Sequence, residues 1–459
     1  MRNLRAYQRI MTGRGKRLNP IANLVLVGVA VFFLLLFIHL LLVYNFNSPP
    51  SVPRYYYLIA TLGVLLPILA LQLPQKVKLR LALVLASTVF AFYLSELVLF
   101  LLEPASDEVA ANSAGIPFDG RTKYEVVEDL RARGVEAFPA VSAIPTGDET
   151  LFPLSGVAEK TTVQCNEGGN YVLYESDRYG FNNPGESWTK RPDVVLIGDS
   201  FTHGFCVPEP QSLAGQLRSS GLGVLNLGVF GSGPLKEFAV FKEYAGLLKP
   251  PILLWVYFEG NDLDELAEEE TSQLLLRYYL DDGFSQDLVQ RQSEVDRLVK
   301  SFIDGRMAAE RLRLGKVAGV TGFYNYIAAS ELGRGITLAR LRTALGPLFS
   351  RHRPNLSLFQ GILRKSRDAS SSWGGQLYFV YLPEYGRYAS KVDSDAYRYR
   401  GEVLSIVKDL KIPIIDIHTA FAAHPDPLSL FPFRLNNHYG PEGYRLAAQT
   451  IQLSLQRSR

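Results

Sequence analysis

Cysteine is nearly missing from this chain, with 2 in 459 residues. Neither sits in a CxxC pair, which excludes a disulfide-built scaffold and a structural zinc site. A surplus of one charge is missing too. Lys and Arg number 48 against 45 Asp and Glu, a formal net charge of +3. A nucleic-acid binder needs a strong basic excess to neutralise phosphates, so no nucleic-acid partner is expected. Tandem repeats and low-complexity tracts are also absent from the sequence. What is present is apolar material: 47% hydrophobic against 20% charged residues excludes disorder throughout. At roughly 150 residues per domain the length allows about three units.

That apolar material is unevenly spread. Residues 24–44 are interrupted only by His39, and at 1.5 Å per residue they span about 30 Å, a bilayer core. A second run extends from Tyr55 to Leu73 and contains Pro67, which membrane helices tolerate. A third extends from Leu81 to Leu102. The first run is too long for a signal-peptide core, and no small-x-small cleavage site follows it. Three membrane helices are therefore expected within residues 1–104. Arg2, Arg5, Arg9, Arg14, Lys16 and Arg17 precede the first, and Lys76, Lys78 and Arg80 follow the second, whereas the loop between them carries only Arg54. Positive-inside bias then puts the N-terminus in the cytoplasm and everything after about Glu103 on the periplasmic or extracellular side. Glu96 lies inside the third run, six residues from its outer end, near enough to reach a headgroup or a neighbouring protein.

Residues 105–192 are Pro- and Gly-dotted and read as a membrane-proximal lead-in, with a helix over Lys123 to Arg133 and a strand near Tyr171 to Glu175. From residue 193 the pattern alternates. Short apolar runs at Val194–Ile197, Gly223–Leu227, Ile252–Phe258, Leu377–Leu382 and Ile412–Ile417 are bounded by Gly or Pro, as suits strands buried on both faces. Helical patterns separate them at Ser212–Arg218, Leu235–Leu248, Ser394–Leu410 and from Pro441. This predicts an α/β fold with a parallel sheet, whose active residues gather at the C-terminal strand ends. More than a hundred residues between the third and fourth strands exceed any crossover. They read as a helical insertion at about 263–372, with helices over Leu263–Leu280, Gln286–Phe302 and Ile336–Leu348.

The chemistry-bearing residues fall at those strand ends. Gly198-Asp199-Ser200 follows the first strand, where a hydroxyl at a strand-to-helix turn is exposed beside free backbone N–H groups. Gly231 follows the second strand and lets backbone approach a substrate oxygen. Asn261, in Gly260-Asn261-Asp262 after the third strand, offers an amide donor to the same oxygen. His438 precedes the last helix, placed to take the Ser200 proton.

Together GDSFTHG, NLGVFG, EGND and the late His438 resemble the SGNH (GDSL-type) hydrolase family, over roughly Asp193 to the C-terminus. The resemblance implies a flavodoxin-like three-layer α/β/α domain. It implies Ser200 as nucleophile, His438 as base, and an oxyanion hole of the Ser200 N–H, the Gly231 N–H and the Asn261 side chain. No cofactor and no metal are expected. Members of that family usually carry an Asp two or three residues before the histidine; here those positions hold Asn436 and Leu435. Three arrangements stay open: a Ser–His dyad held by a backbone carbonyl or Asn436, a remote acid such as Asp262 or Asp416, or a site that binds without catalysis.

The remaining candidates have plainer readings. His203 is expected to be structural, Asp262 to cap the following helix, and Asp416 with His418 to be too little for a metal site. Tyr381, Tyr385 and Tyr388 suit core packing better than a sugar site. Cys165 and Cys206 both fall outside the membrane, where they can pair and tie the lead-in beside the active site. The expected function is a membrane-anchored, extracytoplasmic serine esterase or O-acyltransferase. Its partners would be acylated carbohydrate or another ester, membrane lipid, and a membrane protein docked on the three helices. A non-catalytic glycan- or acyl-binding role, and a lipase or thioesterase acting on membrane lipids, are the alternatives.

Overall fold

The computed structural model describes residues 20–41, 54–103, 105–142, 151–314, 330–349, 353–392 and 394–457. The chain forms two compact units, Met1–Glu103 with Arg311–Ser350, and Pro104–Glu310 with Arg351–Arg459.

In the first unit, helices cover Pro20–Leu41, Arg54–Ala70 and Gln75–Leu102. The helix from Pro20 and the one beginning at Gln75 are long and apolar enough to cross a membrane. The middle helix has 17 residues, about 25 Å at 1.5 Å per residue, short of a ~30 Å core. The expectation of three spans is thus reduced to two helices of sufficient length. Leu24, Leu35, Phe90 and Leu101 face outward, the reverse of a soluble amphipathic helix. The cationic N-terminus and residues 42–53 lie outside the described residues. Glu96 is buried and meets protein within its own unit. It accepts the backbone N–H groups of Arg340 at 3.2 Å and Leu341 at 2.8 Å, at the start of the helix Ala339–Phe349. The Arg340 guanidinium lies 3.6 Å from it and also reaches Glu103 and Glu331.

The second unit is built on a parallel five-stranded sheet and a smaller sheet from the lead-in. The small sheet joins β1 (Ala137–Pro139), β2 (Thr161–Val163) and β3 (Leu173–Glu175), with β1 and β2 parallel and β2 and β3 antiparallel. The main sheet consists of β4 (Val194–Gly198), β5 (Val224–Asn226), β6 (Ile252–Phe258), β7 (Gln376–Leu382) and β8 (Ile414–Asp416), ordered β5-β4-β6-β7-β8. Register pairs Gly198 with Val256 and Phe258 with Leu382, so the strand ends carrying the candidate residues are neighbours.

Alternation along the strands feeds two cores, one on each face. Val195, Ile197, Trp255 and Phe379 pack with Leu235, Phe359 and Val403; Val194, Leu196, Leu254 and Val380 pack with Leu213, Ala447 and Ile451. Helices Pro234–Val240, Leu356–Ser372 and Arg400–Asp409 thus cover one face, and Leu213–Ser219 and Pro441–Arg457 the other. Each such side chain fully buried stabilises by about 1.5–3 kcal/mol.

Boundaries move where capping and backbone outweigh hydrophobic periodicity. The helix expected over 263–280 breaks into Asp262–Glu269 and Gln273–Leu280, because the Ser272 hydroxyl accepts the Leu275 N–H and caps a new helix. The helix expected from Ser394 begins at Arg400, after Arg398 and Tyr399 turn left-handed. The insertion is shorter than 263–372, since Leu356–Ser372 is itself the crossover helix packed on the sheet.

Candidate active site

Ser200 opens a four-residue helix, Ser200–His203, directly after β4. Asp199 caps it, its Oδ1 accepting the Phe201 N–H at 2.9 Å. A side chain at Gly198 would collide with the Val256 carbonyl, so the turn out of β4 is tight. The Ser200 hydroxyl is 2.9 Å from His438 Nε2 and 3.4 Å from Asp199 Oδ2. Burial raises the Asp199 carboxyl to about 6, against the lowering effect of the Phe201 N–H and of His438.

The group on the far imidazole nitrogen is Glu167. Its Oε1 lies 2.8 Å from His438 Nδ1, and its Oε2 accepts the His438 backbone N–H at 2.9 Å. With a carboxylate as acceptor, Nδ1 carries the proton and Nε2 presents its lone pair to the serine hydroxyl. This corrects the expected orienters. Asn436 is exposed, and Glu167 rather than Asn436 takes the Nδ1 of the imidazole. Asp262 spends Oδ2 on the Phe258 N–H at 2.9 Å. Asp416 caps the following helix through the His418 N–H and pairs with Arg400.

Glu167 sits at the tip of the β2–β3 hairpin. The Gln164 N–H bonds the Val172 carbonyl, and the Val172 N–H bonds the Cys165 carbonyl. Asn166 accepts the Gly169 N–H at 2.8 Å and donates to the Asp119 carbonyl at 3.0 Å. Gly169 has φ +107°, and a Cβ there would lie 2.6 Å from the Pro117 carbonyl oxygen. Cys165 is disulfide-bonded to Cys206, six residues after the serine. The lead-in also reaches the histidine loop directly, where Asn437 Nδ2 donates to Asp107 Oδ1 at 2.7 Å. The signal for Glu167 in the sequence is its position two residues beyond Cys165, whose pairing with Cys206 brings this segment beside Ser200.

His203 is a structural group. It is buried, and desolvation, with the nearby His438, lowers it to about 3, so it stays neutral. Gln164 Nε2 is 3.3 Å from its Nδ1, and the Gln164 side-chain Oε1 accepts the Cys206 N–H at 3.1 Å. Asn182 donates to the His203 carbonyl at 3.0 Å. Tyr381 and Tyr388 belong to the protein interior: Tyr381 is fully buried against Glu259, and Tyr388 bonds His418 at 2.9 Å. Tyr385 donates its hydroxyl proton to the Arg434 carbonyl at 2.9 Å.

Gly231 has φ +66°, and a Cβ there would come within 2.8 Å of Ser142. Gly228 lies so close to the serine helix that a Cβ would meet the His203 nitrogen. Asn261 begins the helix Asp262–Glu269, and its Nδ2 donates to Glu265 Oε1 at 2.8 Å. The stretch ahead of Asn261 is held by a buried ion pair, in which Glu259 receives Arg387 and the Glu384 N–H. Aromatic rings wall the serine and imidazole: Phe201 stacks on Phe258, Phe205 on Phe230, and Phe205 lies 5.1 Å from the His438 ring.

Among the described residues, Glu167, Cys206 and His438 bring potential ligand atoms within 4.8 Å of one another. The cysteine sulfur is consumed by its disulfide and the imidazole nitrogens by Ser200 and Glu167, so the group does not fit a metal ion.

No family model and no curated protein matches this chain. Among solved structures, a GDSL-like lipase from Bacteroides thetaiotaomicron is similar, with 10% identity and TM-score 0.32, covering 59% of this chain and 91% of its own. A lipase/acylhydrolase from Enterococcus faecalis is similar with 13% identity and TM-score 0.32, covering 58% of this chain and 95% of its own. Likeness at that level carries no function, and the reading of the site rests on its own residues.

Proposed function

We propose that this protein is a membrane-anchored serine ester hydrolase or O-acyltransferase of the SGNH kind. Its catalytic unit faces the periplasm or cell exterior from a cytoplasmic N-terminus, a topology in which the shorter apolar helix Arg54–Ala70 also crosses and makes the third span. Ser200 is the nucleophile, His438 the base, and Glu167 the acid that orients and stabilises the imidazolium. The Ser200 and Gly231 N–H groups and the Asn261 amide receive the oxyanion. Ester-linked acyl groups of cell-surface or exported glycans are the proposed substrates.

One observation carries this reading: the unbroken relay from Ser200 Oγ through the His438 ring to Glu167, with contacts of 2.9 and 2.8 Å. Such a relay moves one proton. Ser200 oxygen attacks the ester carbonyl carbon while its proton passes to Nε2. The tetrahedral oxyanion collapses, the carbon–oxygen ester bond breaks, and the departing alkoxide takes the proton from Nε2. Water or a sugar hydroxyl then attacks the acyl-enzyme, giving its proton to the same nitrogen, and Ser200 is restored as the acid or new ester leaves. The non-catalytic alternative drew its support from the missing acid before His438, and Glu167 removes that support.

Labelling of the full-length chain with a fluorophosphonate tests the assignment. Ser200→Ala is expected to abolish labelling and His438→Ala to reduce it by about a hundredfold or more. Labelling that persists in both variants overturns it.

A further inference from the structure

The helix Asp262–Glu269 begins at Asn261, and residues four apart share one face of a helix. Asn261, Glu265 and Glu269 therefore form a line, and each rung touches the proposed oxyanion hole or its support. An Asn at a helix start ordinarily spends its side chain on capping. Asn261 does not cap; its Nδ2 donates instead to Glu265 Oε1 at 2.8 Å. An amide nitrogen has two N–H groups, so fixing one to a carboxyl sets the direction of the other.

Glu269 acts on the other loop. Its Oε1 accepts the Gly233 N–H at 2.6 Å, and its Oε2 accepts those of Leu235 at 3.0 Å and Lys236 at 3.1 Å. These N–H groups open the helix Pro234–Val240, three residues beyond Gly231. A Cβ at Gly233 would sit 2.7 Å from the Leu266 nitrogen, so backbone rests on backbone where the loop meets the ladder. Lys236, buried, extends its ammonium to 3.5 Å from the Gly231 carbonyl and is drawn electrostatically by Glu269.

We infer that Glu265 is a positioning residue for the oxyanion hole, aiming the Asn261 amide, while Glu269 and Lys236 hold the Gly231 loop to the same helix. This rests on the esterase reading of Ser200. One eight-residue helix thereby sets two of the three proposed donors, so their spacing is fixed before substrate arrives. Burial together with Asp199 and Glu269 raises the Glu265 carboxyl to about 8, so at neutral pH it is largely a neutral acceptor that glutamine can imitate.

The test is hydrolysis of 4-nitrophenyl acetate by the full-length chain in detergent, with thermal melting of each variant. Glu265→Ala is expected to lower kcat about 10–100-fold, up to the cost of losing one oxyanion donor, at KM within about twofold. Glu265→Gln is expected to restore turnover to within about threefold of the parent, and Glu265→Ala placed in Asn261→Ala is expected to cause no further loss. The inference is overturned if Ser200-dependent turnover survives Glu265→Ala unchanged, or if Ala and Gln lose equally and add to Asn261→Ala. Turnover that survives Ser200→Ala instead overturns the esterase reading, and the ladder with it.

Discussion

At the residue scale the decisive group is Glu167. A histidine acting as general base needs a carboxylate at Nδ1, and electrostatics depends on where that carboxylate is, not on its distance along the chain. Glu167 arrives from 271 residues away, which is why inspection of Leu435 and Asn436 could not find it. The serine, glycine, asparagine and histidine were legible because each stands within a few residues of a strand end or final helix. Glu167 accepts from the His438 backbone N–H with one oxygen and from the ring with the other. In Glu167→Gln the single remaining carbonyl oxygen cannot serve both. With the amide NH2 facing Nδ1, the imidazole is pushed into the tautomer that cannot take the serine proton. Glu167→Gln is therefore expected to lower kcat by about 10³–10⁴-fold with little change in KM. Steady-state kinetics checks this, and a loss under tenfold would make Glu167 a spectator.

At the scale of elements, the five strands of the main sheet were readable because a strand buried on both faces must be continuously apolar, as Val194–Ile197 and Ile252–Phe258 are. The hairpin bearing Glu167 was less readable. Its strands are three residues each, and turn geometry and a disulfide hold its tip rather than a hydrophobic stripe. Replacing both cysteines with serine is expected to cost about 2–4 kcal/mol, because the bond closes a long segment of unfolded chain. Urea unfolding measures it. Arg387→Ala is expected to cost about 3–5 kcal/mol, since it leaves Glu259 buried without its counter-charge. The ladder helix has its own pH signature. Glu265 titrates at about 8 and Glu269 at about 7 in the folded chain, each raised first by burial, against about 4.3 when unfolded. Between those values the folded state holds more protons, so their contribution to stability is complete below about 4.3, declines as pH rises from there, and is lost once pH has passed through 7 to 8. His203 acts oppositely, its contribution declining as pH falls below about 6.5. Melting temperature is expected to fall from pH 6.5 to pH 8 in the parent and to fall less in Glu265→Gln. Equal slopes would contradict the shift.

At the scale of the whole molecule, the apolar runs announced a unit of long apolar helices, and the alternating pattern announced a separate α/β unit. The division of the insertion was not legible. Arg311–Ser350 joins the first unit, and only the structure reveals that Glu96 receives the start of the helix Ala339–Phe349. An acid in an apolar run signals that it needs a partner, but not which segment supplies it.

The most direct measurement is the mass of the intact chain, quenched early in reaction with 4-nitrophenyl acetate, followed by peptide mapping. The account expects one added acetyl group on the peptide containing Ser200, accumulating in the parent and absent from Ser200→Ala. Turnover with no covalent adduct, or with the acetyl group on another residue, would contradict it.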